Sequence, residues 1–204
     1  MQMITITQKV ILEMEKHART NLINSLPGIR GANLIGTCND IGETNLAIFN
    51  SVMHIGANPP YMGFIMRPVS VPRGTYQNIK QTEFFTINQV NQTIYKQAHQ
   101  TSARYNISEF EATGLTPEYS KAIKAPYVKE SKLKIGLRFV EEQLIKVNGT
   151  ILIIGEVLEI ITEEQYINQS NILQLEALDA IGVNGLETYY KLQKLAELPY
   201  AKAD

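Results

Sequence analysis

The sequence predicts a mainly β protein, an antiparallel barrel with helices at its periphery. Three observations predict it. Apolar segments of strand length recur at short spacing. Tight-turn residues separate several of them, notably Asn39-Asp40-Ile41-Gly42 and Asn148-Gly149. Long stretches with helical periodicity are few.

The elements follow in order. Residues 7–18 read as a short helix capped by Thr7, with Val10, Ile11 and Met14 at helical spacing. Residues 22–26 read as a strand stopped by Pro27-Gly28. Residues 32–38 and 44–52 form two strands around the 39–42 turn. Pro59-Pro60 cannot join a central ladder and marks an edge or a bend. Residues 61–66 are the next apolar strand. Thr75 is placed as the N-cap of a helix running to about 81. Residues 84–90 are aromatic and β-branched, hence a strand. Residues 91–104 are polar and tolerate helix, and 107–126 are irregular, broken by Gly114, Pro117 and Pro126. In 132–139, Leu133, Ile135, Leu137 and Phe139 alternate with Lys132, Lys134, Gly136 and Arg138. One face is therefore core and the other faces water. Residues 150–161 are a nearly unbroken apolar run, expected to be buried on both faces. From about 173 the tail reads as loop and helix with a Gly-rich break at 182–185. The whole is one domain, 1–204, with a barrel core at about 19–165.

Composition narrows the function. The 204 residues carry a net charge of −1, which implies no nucleic-acid or membrane field. No apolar run reaches spanning length, and the first residues carry Glu13 and Glu15 where a secretion signal would be apolar. The expected location is the cytoplasm. The single Cys38 excludes an internal disulfide and a CxxC site, and is expected to pack at a strand end. Neither a G-x-G-x-x-G after a strand nor a P-loop, an H-E-x-x-H or a G-x-S-x-G motif occurs. No metal ligand set and no catalytic dyad is expected.

What remains is a constellation that can hold a flat ring and an anion. The strand Asn45-Leu46-Ala47-Ile48-Phe49 can present backbone amides edge-on to a ring, and Asn50-Ser51 at its end offers a carboxamide and a hydroxyl. Arg67 offers a fork that matches phosphate. Thr75 and Asn78 lie at a helix start, where free N–H groups attract anions. The stretch His99-Gln100-Thr101-Ser102-Ala103-Arg104 adds donors, and Gln100, Thr101 and Ser102 are candidates. His54 and the pair Tyr189-Tyr190 can stack on or cover a planar ligand. Each residue also has an ordinary structural use, as a strand end, a solvated cation, a cap or a packing group.

The order of these segments resembles the flavin reductase-like, FMN-binding split-barrel family, whose small members include flavoredoxin. The segments that carry the resemblance run from about 21 to 157. They include NLIGT (33–37), NLAIFNS (45–51), NPP (58–60), EFFTIN (83–88), SEFEATGLT (108–116), APYVKES (125–131) and GEV (155–157). The resemblance implies a six-stranded antiparallel split barrel, a homodimer and non-covalent FMN. It assigns residues 45–51 to the ring and ribityl side and Arg67, Thr75 and Asn78 to the phosphate, with Ser102 and its neighbours as further donors. In many relatives NADH or NADPH reduces the flavin. One departure stands out, because Asn148-Gly149-Thr150 occupies the place where many relatives carry a His linked to nicotinamide chemistry. An electron carrier reduced by a partner protein is the alternative, and a barrel that binds another small ligand without redox chemistry is the third.

Overall fold

The computed structural model describes residues 3–202, so the outer two residues at each end of the expected 1–204 domain lie outside the described residues. Two short helices open the chain. Helix α1 (Gln8–Glu13) is capped as expected, Thr7 Oγ1 accepting from Val10 N at 3.4 Å. It ends early, and α2 (Lys16–Ser25) follows, capped by the Glu15 carboxylate, which accepts from the backbone of His17 and Ala18. The strand expected at 22–26 is therefore a helix end. Its apolar residues are too few and too exposed to hold a ladder, while Glu15 satisfies the free donors of the helix start.

Strand β1 (Arg30–Gly31) leads into β2 (Asn33–Cys38), and a turn with Gly42 at φ 89° returns the chain as β3 (Thr44–Phe49). Strand β4 (Met53–Ala57) and β5 (Pro60–Met66) form a hairpin in which Pro60 pairs with Ala57 beside a cis Asn58–Pro59 bond. Helix α3 (Gly74–Thr82), β6 (Phe84–Gln89), α4 (Tyr95–Gln100) and α5 (Glu109–Thr113) come next. The short strands β7 (Pro117–Glu118) and β8 (Tyr127–Val128) pair with each other. The long hairpin of β9 (Leu133–Ile145) and β10 (Thr150–Thr162) turns at Gly149, φ 73°. A second hairpin, β11 (Ile181–Asn184) and β12 (Thr188–Lys191), is the last regular element among the described residues.

The main sheet runs β3-β2-β6-β9-β10-β5-β4, antiparallel at every step. It has seven strands rather than six. The added strand is β4, a partly exposed edge whose Pro-rich turn conceals it in the sequence. Its interior holds Phe64, fully buried, with its ring 4.9 Å from Phe49 and 5.6 Å from Phe85. A second apolar cluster lies on the opposite face of β3, where Leu46 meets Leu34, Val90 and Phe110. Gly36 is required here, since a Cβ would meet the Pro126 carbonyl oxygen at 2.2 Å.

Three further expectations change. Lys134 is buried, not solvated, because the 117–128 segment folds over β9 and pairs its ammonium with Glu118. Strand β10 is buried on both faces only near Ile151–Gly155, and Leu158 and Ile160 are exposed. The tail is a β-hairpin, not a helix. Gly182 sits within β11, where a Cβ would meet Ile29 at 2.2 Å, and Gly185 (φ 63°) makes the turn. Cys38 packs at the end of β2 as expected, and burial raises its thiol pKa. Among the described residues no helix is long and apolar enough to cross a membrane.

Candidate functional site

Strand β3 is the edge of the main sheet, and its open side faces a cleft of about 1090 Å³. That is at the upper end of the roughly 300–1,000 Å³ usual for small-molecule sites. Strand parity sets what the edge offers. Leu46 pairs with Gly36, and its N–H points away from the sheet, donating to Glu109 Oε2 at 2.9 Å. Ile48, two residues on, pairs with Leu34 and turns the same way. Its N–H and C=O thus face the cleft, and among the described residues no side chain bonds that N–H.

One wall is the start of α3. No side chain caps this helix, and its first internal bond runs from Gln77 N to Arg73 O at 2.9 Å. The N–H groups of Gly74, Thr75 and Tyr76 precede that bond. Gly74 is needed for close approach, since a Cβ would meet Asn45 Oδ1 at 2.4 Å. Thr75 is not the expected N-cap, which is Arg73. The Thr75 hydroxyl instead accepts from Asn45 Nδ2 at 3.0 Å, which ties α3 to β3. Arg67, Arg73 and Arg104 all line the cleft. Arg73 Nε reaches Pro68 O at 3.5 Å, while Arg67 and Arg104 have no hydrogen-bond or ion-pair partner among the described residues.

The opposite wall is the β11–β12 hairpin with α4. Val183, Leu186, Glu187 and Tyr189 line it, and Asn50 Nδ2 donates to Gly185 O at 2.8 Å, pinning the hairpin tip to the end of β3. His99 Nδ1 lies 3.0 Å from the Tyr189 hydroxyl. Burial, and then the charge of Glu187, raise the Tyr189 pKa above the ordinary phenol value.

Of the residues singled out in the sequence, Asn45, Ala47, Ile48, Phe49, Asn50, Ser51, Arg67, Thr75, Thr101 and Ser102 line this cleft. Three do not. The Leu46 side chain points into the core, as the alternation of a strand requires. Asn78 lies one helical turn below the α3 tip and donates to Thr37 Oγ1 at 3.2 Å. Gln100 is on the exposed side of α4 and accepts from Tyr105. Ser51 lines the cleft, but its hydroxyl is engaged with both the N–H and the C=O of Ile65, at 3.1 and 3.2 Å. His54, on exposed β4, is outside the lining. Of the tyrosine pair, Tyr189 lines the cleft and Tyr190 does not, while sequence reasoning missed Arg73, Glu109 and the hairpin that carries Tyr189. The Asn184-Gly185 turn between Ile181/Val183 and Tyr189 was the available signal for the last.

Comparison with known proteins agrees with this architecture. The profile of the flavin reductase like domain matches residues 29–174. A protein of Shewanella frigidimarina NCIMB 400, assigned as a flavin reductase with a split barrel domain, has a similar structure with a TM-score of 0.94. It is 50% identical, over 97% of this chain and 100% of that one. Nitrilotriacetate monooxygenase component B of Bacillus cereus superposes with a TM-score of 0.82 at 22% identity, over 97% and 99% of the two chains. Flavoredoxin of Desulfovibrio vulgaris (Miyazaki F) does so with a TM-score of 0.71 at 20% identity, over 85% and 92%. The last two speak for the fold alone. With that profile covering most of its length, and the split barrel under it, the chain belongs to the flavin reductase like family.

Proposed function

We propose that this cleft binds FMN and that the protein is a cytoplasmic flavin oxidoreductase using NADH or NADPH. The observation that carries the reading is the meeting of two features across β3. The free backbone edge at Ile48 suits the heteroatom rim of a planar ring. The uncapped start of α3, with Arg67, Arg73 and Arg104 around the same cleft, suits a phosphate dianion. Phe49, Val183 and Leu186 supply apolar wall. The residues present therefore fit FMN. The 50% identical neighbour assigned as a flavin reductase supports the same reading.

FMN, when bound, supplies hydride exchange at its N5 atom, so the protein is left to bind and orient. Thr75 and the α3 amides hold the phosphate end, with Arg67 as the flexible cation. Ile48 orients the ring plane through its N–H. The cleft is larger than one ring needs, which leaves room for a nicotinamide. A homodimer belongs to this reading, supported by exposed apolar side chains such as Val71, Leu144, Leu158 and Ile160.

The test begins with the absorption spectrum of the purified protein, titrated with FMN. Stopped-flow mixing with NADH or NADPH follows, and the expected result is bleaching of the oxidised-flavin band at catalytic rates. Bleaching only by a partner protein would favour a flavoredoxin-like carrier. The turn Asn148-Gly149-Thr150 is the feature that speaks for that second reading, since no imidazole stands there. A colourless protein that leaves FMN fluorescence unquenched would leave a barrel for some other ligand.

A further inference from the structure

The phosphate end of the proposed cofactor uses the α3 side of β3, and the hairpin side carries two polar groups that binding does not use. Asn45 reaches Thr75 on α3 and Phe49 packs on Phe64, whereas Ile48 and Asn50 turn to the C-terminal hairpin. On the hairpin side, Tyr189 and His99 both line the cleft, half-buried, with their polar atoms 3.0 Å apart. Their rings meet edge to face at 5.7 Å, and Tyr95 packs on Tyr189 at the same separation. Tyr189 is thus held between His99 and Tyr95, on a hairpin that the Asn50–Gly185 bond pins to β3. The hairpin lies beyond residues 29–174, the part that matches the family profile.

We infer that Tyr189 and His99 form a proton-delivery pair, and that the cleft reduces a second, organic substrate of the electron-poor alkene class. This rests on the FMN reading. The reason is chemical. Hydride exchange between a nicotinamide and a flavin asks for no protein acid, nor does binding a phosphate. An acid is needed when an acceptor takes hydride and proton on separate atoms. In an α,β-unsaturated ketone, hydride from the reduced flavin forms a C–H bond at the β carbon. The π electrons of the broken C=C bond move to the α carbon, which takes the phenol proton of Tyr189. The phenolate then takes a proton through His99 Nδ1, and solvent resupplies His99. The substrate gains two electrons and two hydrogens, and the flavin is oxidised.

The surroundings suit that role. Burial keeps the phenol protonated across the physiological range, ready to donate. Ile48, Val183 and Leu186 give the apolar wall an alkene needs. Glu187 of the hairpin, Tyr95 of α4, Arg104 and Tyr105 of the following loop, Glu109 of α5, and Arg67 and Arg73 of the α3 wall are the other ionisable groups near the pair or on the cleft around it among the described residues. Glu109 is already engaged by Leu46 N–H. Tyr189 is the catalytic residue of this scheme, and His99 is a positioning and reprotonating residue.

The probe is ketoisophorone, a cyclic enedione, given to the full chain with FMN and NADH or NADPH. Wild type is expected to reduce its C=C bond. Tyr189→Phe, which removes one oxygen, is expected to lower kcat at least tenfold with little change in KM. His99→Gln is expected to lower kcat as well, with little change in KM, because the ring acts on Tyr189 and not on the substrate. A second readout needs no turnover: in ¹⁵N-histidine NMR of the FMN-loaded protein, Tyr189→Phe should shift the His99 Nδ1 signal, and ketoisophorone should perturb the His99 signals. FMN bound, but no reduction of the enedione, or equal rates in wild type and Tyr189→Phe, overturns this inference alone. Failure of wild type to bind FMN overturns the functional reading and this one together.

Discussion

Arg67 stands at the end of β5, exposed, with no internal partner among the described residues, and that isolation is what marks it. A structural arginine usually has its fork filled. An unfilled one on a cleft, beside an uncapped helix start, is set for an external anion. The consequence is specific to charge. Arg67→Ala should weaken FMN by about 1.5–3 kcal/mol, the usual worth of a hydrogen bond to a charged group, which is roughly tenfold to a hundredfold. Riboflavin, which lacks the phosphate, should bind as before. Equal losses for both ligands, measured by fluorescence quenching, would assign Arg67 to the fold. At this scale the sequence was informative about residue types and blind to direction. Asn50 and Ser51 were legible as polar strand-end residues beside a ligand. That Ser51 spends its hydroxyl on Ile65, and Asn50 its amide on Gly185, depends on which strand and which turn lie alongside.

Among the elements, the β11–β12 hairpin is the one on which the second wall depends. It pairs with β1 at Arg30 and Gly31, and the segment before it is tied to β9 by the Lys132–Asp179 ion pair at 2.6 Å. The hydrogen bond from Lys132 lowers the Asp179 pKa, and the Lys132 pKa is raised in return. The sign follows from linkage. A carboxylate with a depressed folded pKa contributes stability above its unfolded value, about 3.9, and loses it as pH falls through the folded value. Acidification below about pH 4 should therefore speed hydrogen exchange at the β11 amides before the β6 and β9 amides respond. Asp179→Asn should remove that early phase, and an unchanged acid profile in the variant would count against the ion pair as the anchor. The hairpin was hidden because Gly182 and Gly185 read as a break. In the fold, Gly182 is the only residue that fits beneath Ile29, and the turn falls to Gly185.

The molecule as a whole leaves several large apolar side chains exposed on its long hairpin and beside the cleft. Leu144, Leu158 and Ile160 on the β9–β10 hairpin, and Val71 beside the cleft, are all more than 40% exposed. Scattered apolar residues are ordinary on a surface, and those on this hairpin are where the proposed dimer would close. Sedimentation velocity at micromolar concentration should show one species of twice the chain mass. A monomer across the accessible concentration range would sink the dimer and leave the cleft to a single chain. The hairpin wall of the cleft joins residues 90 apart in sequence, His99 and Tyr189, beside the β3 sheet edge.

Local chemistry by itself determined the turns at 39–42 and 148–149, the caps and the alternation that makes β9. It also determined the mainly antiparallel class, because each depends on residues within a few positions of one another. The resemblance carried by the 45–51 and 67–78 segments added the family. Only the tertiary structure decided that β3 is an edge, that Ile48 rather than Leu46 opens onto the cleft, and that a C-terminal hairpin closes it. It also turned Lys134 inward and made 22–26 helix. The reason is common to all of these. Which way a backbone amide or side chain points is set by the register with its neighbours, and register is a property of the partners a segment finds, not of the segment.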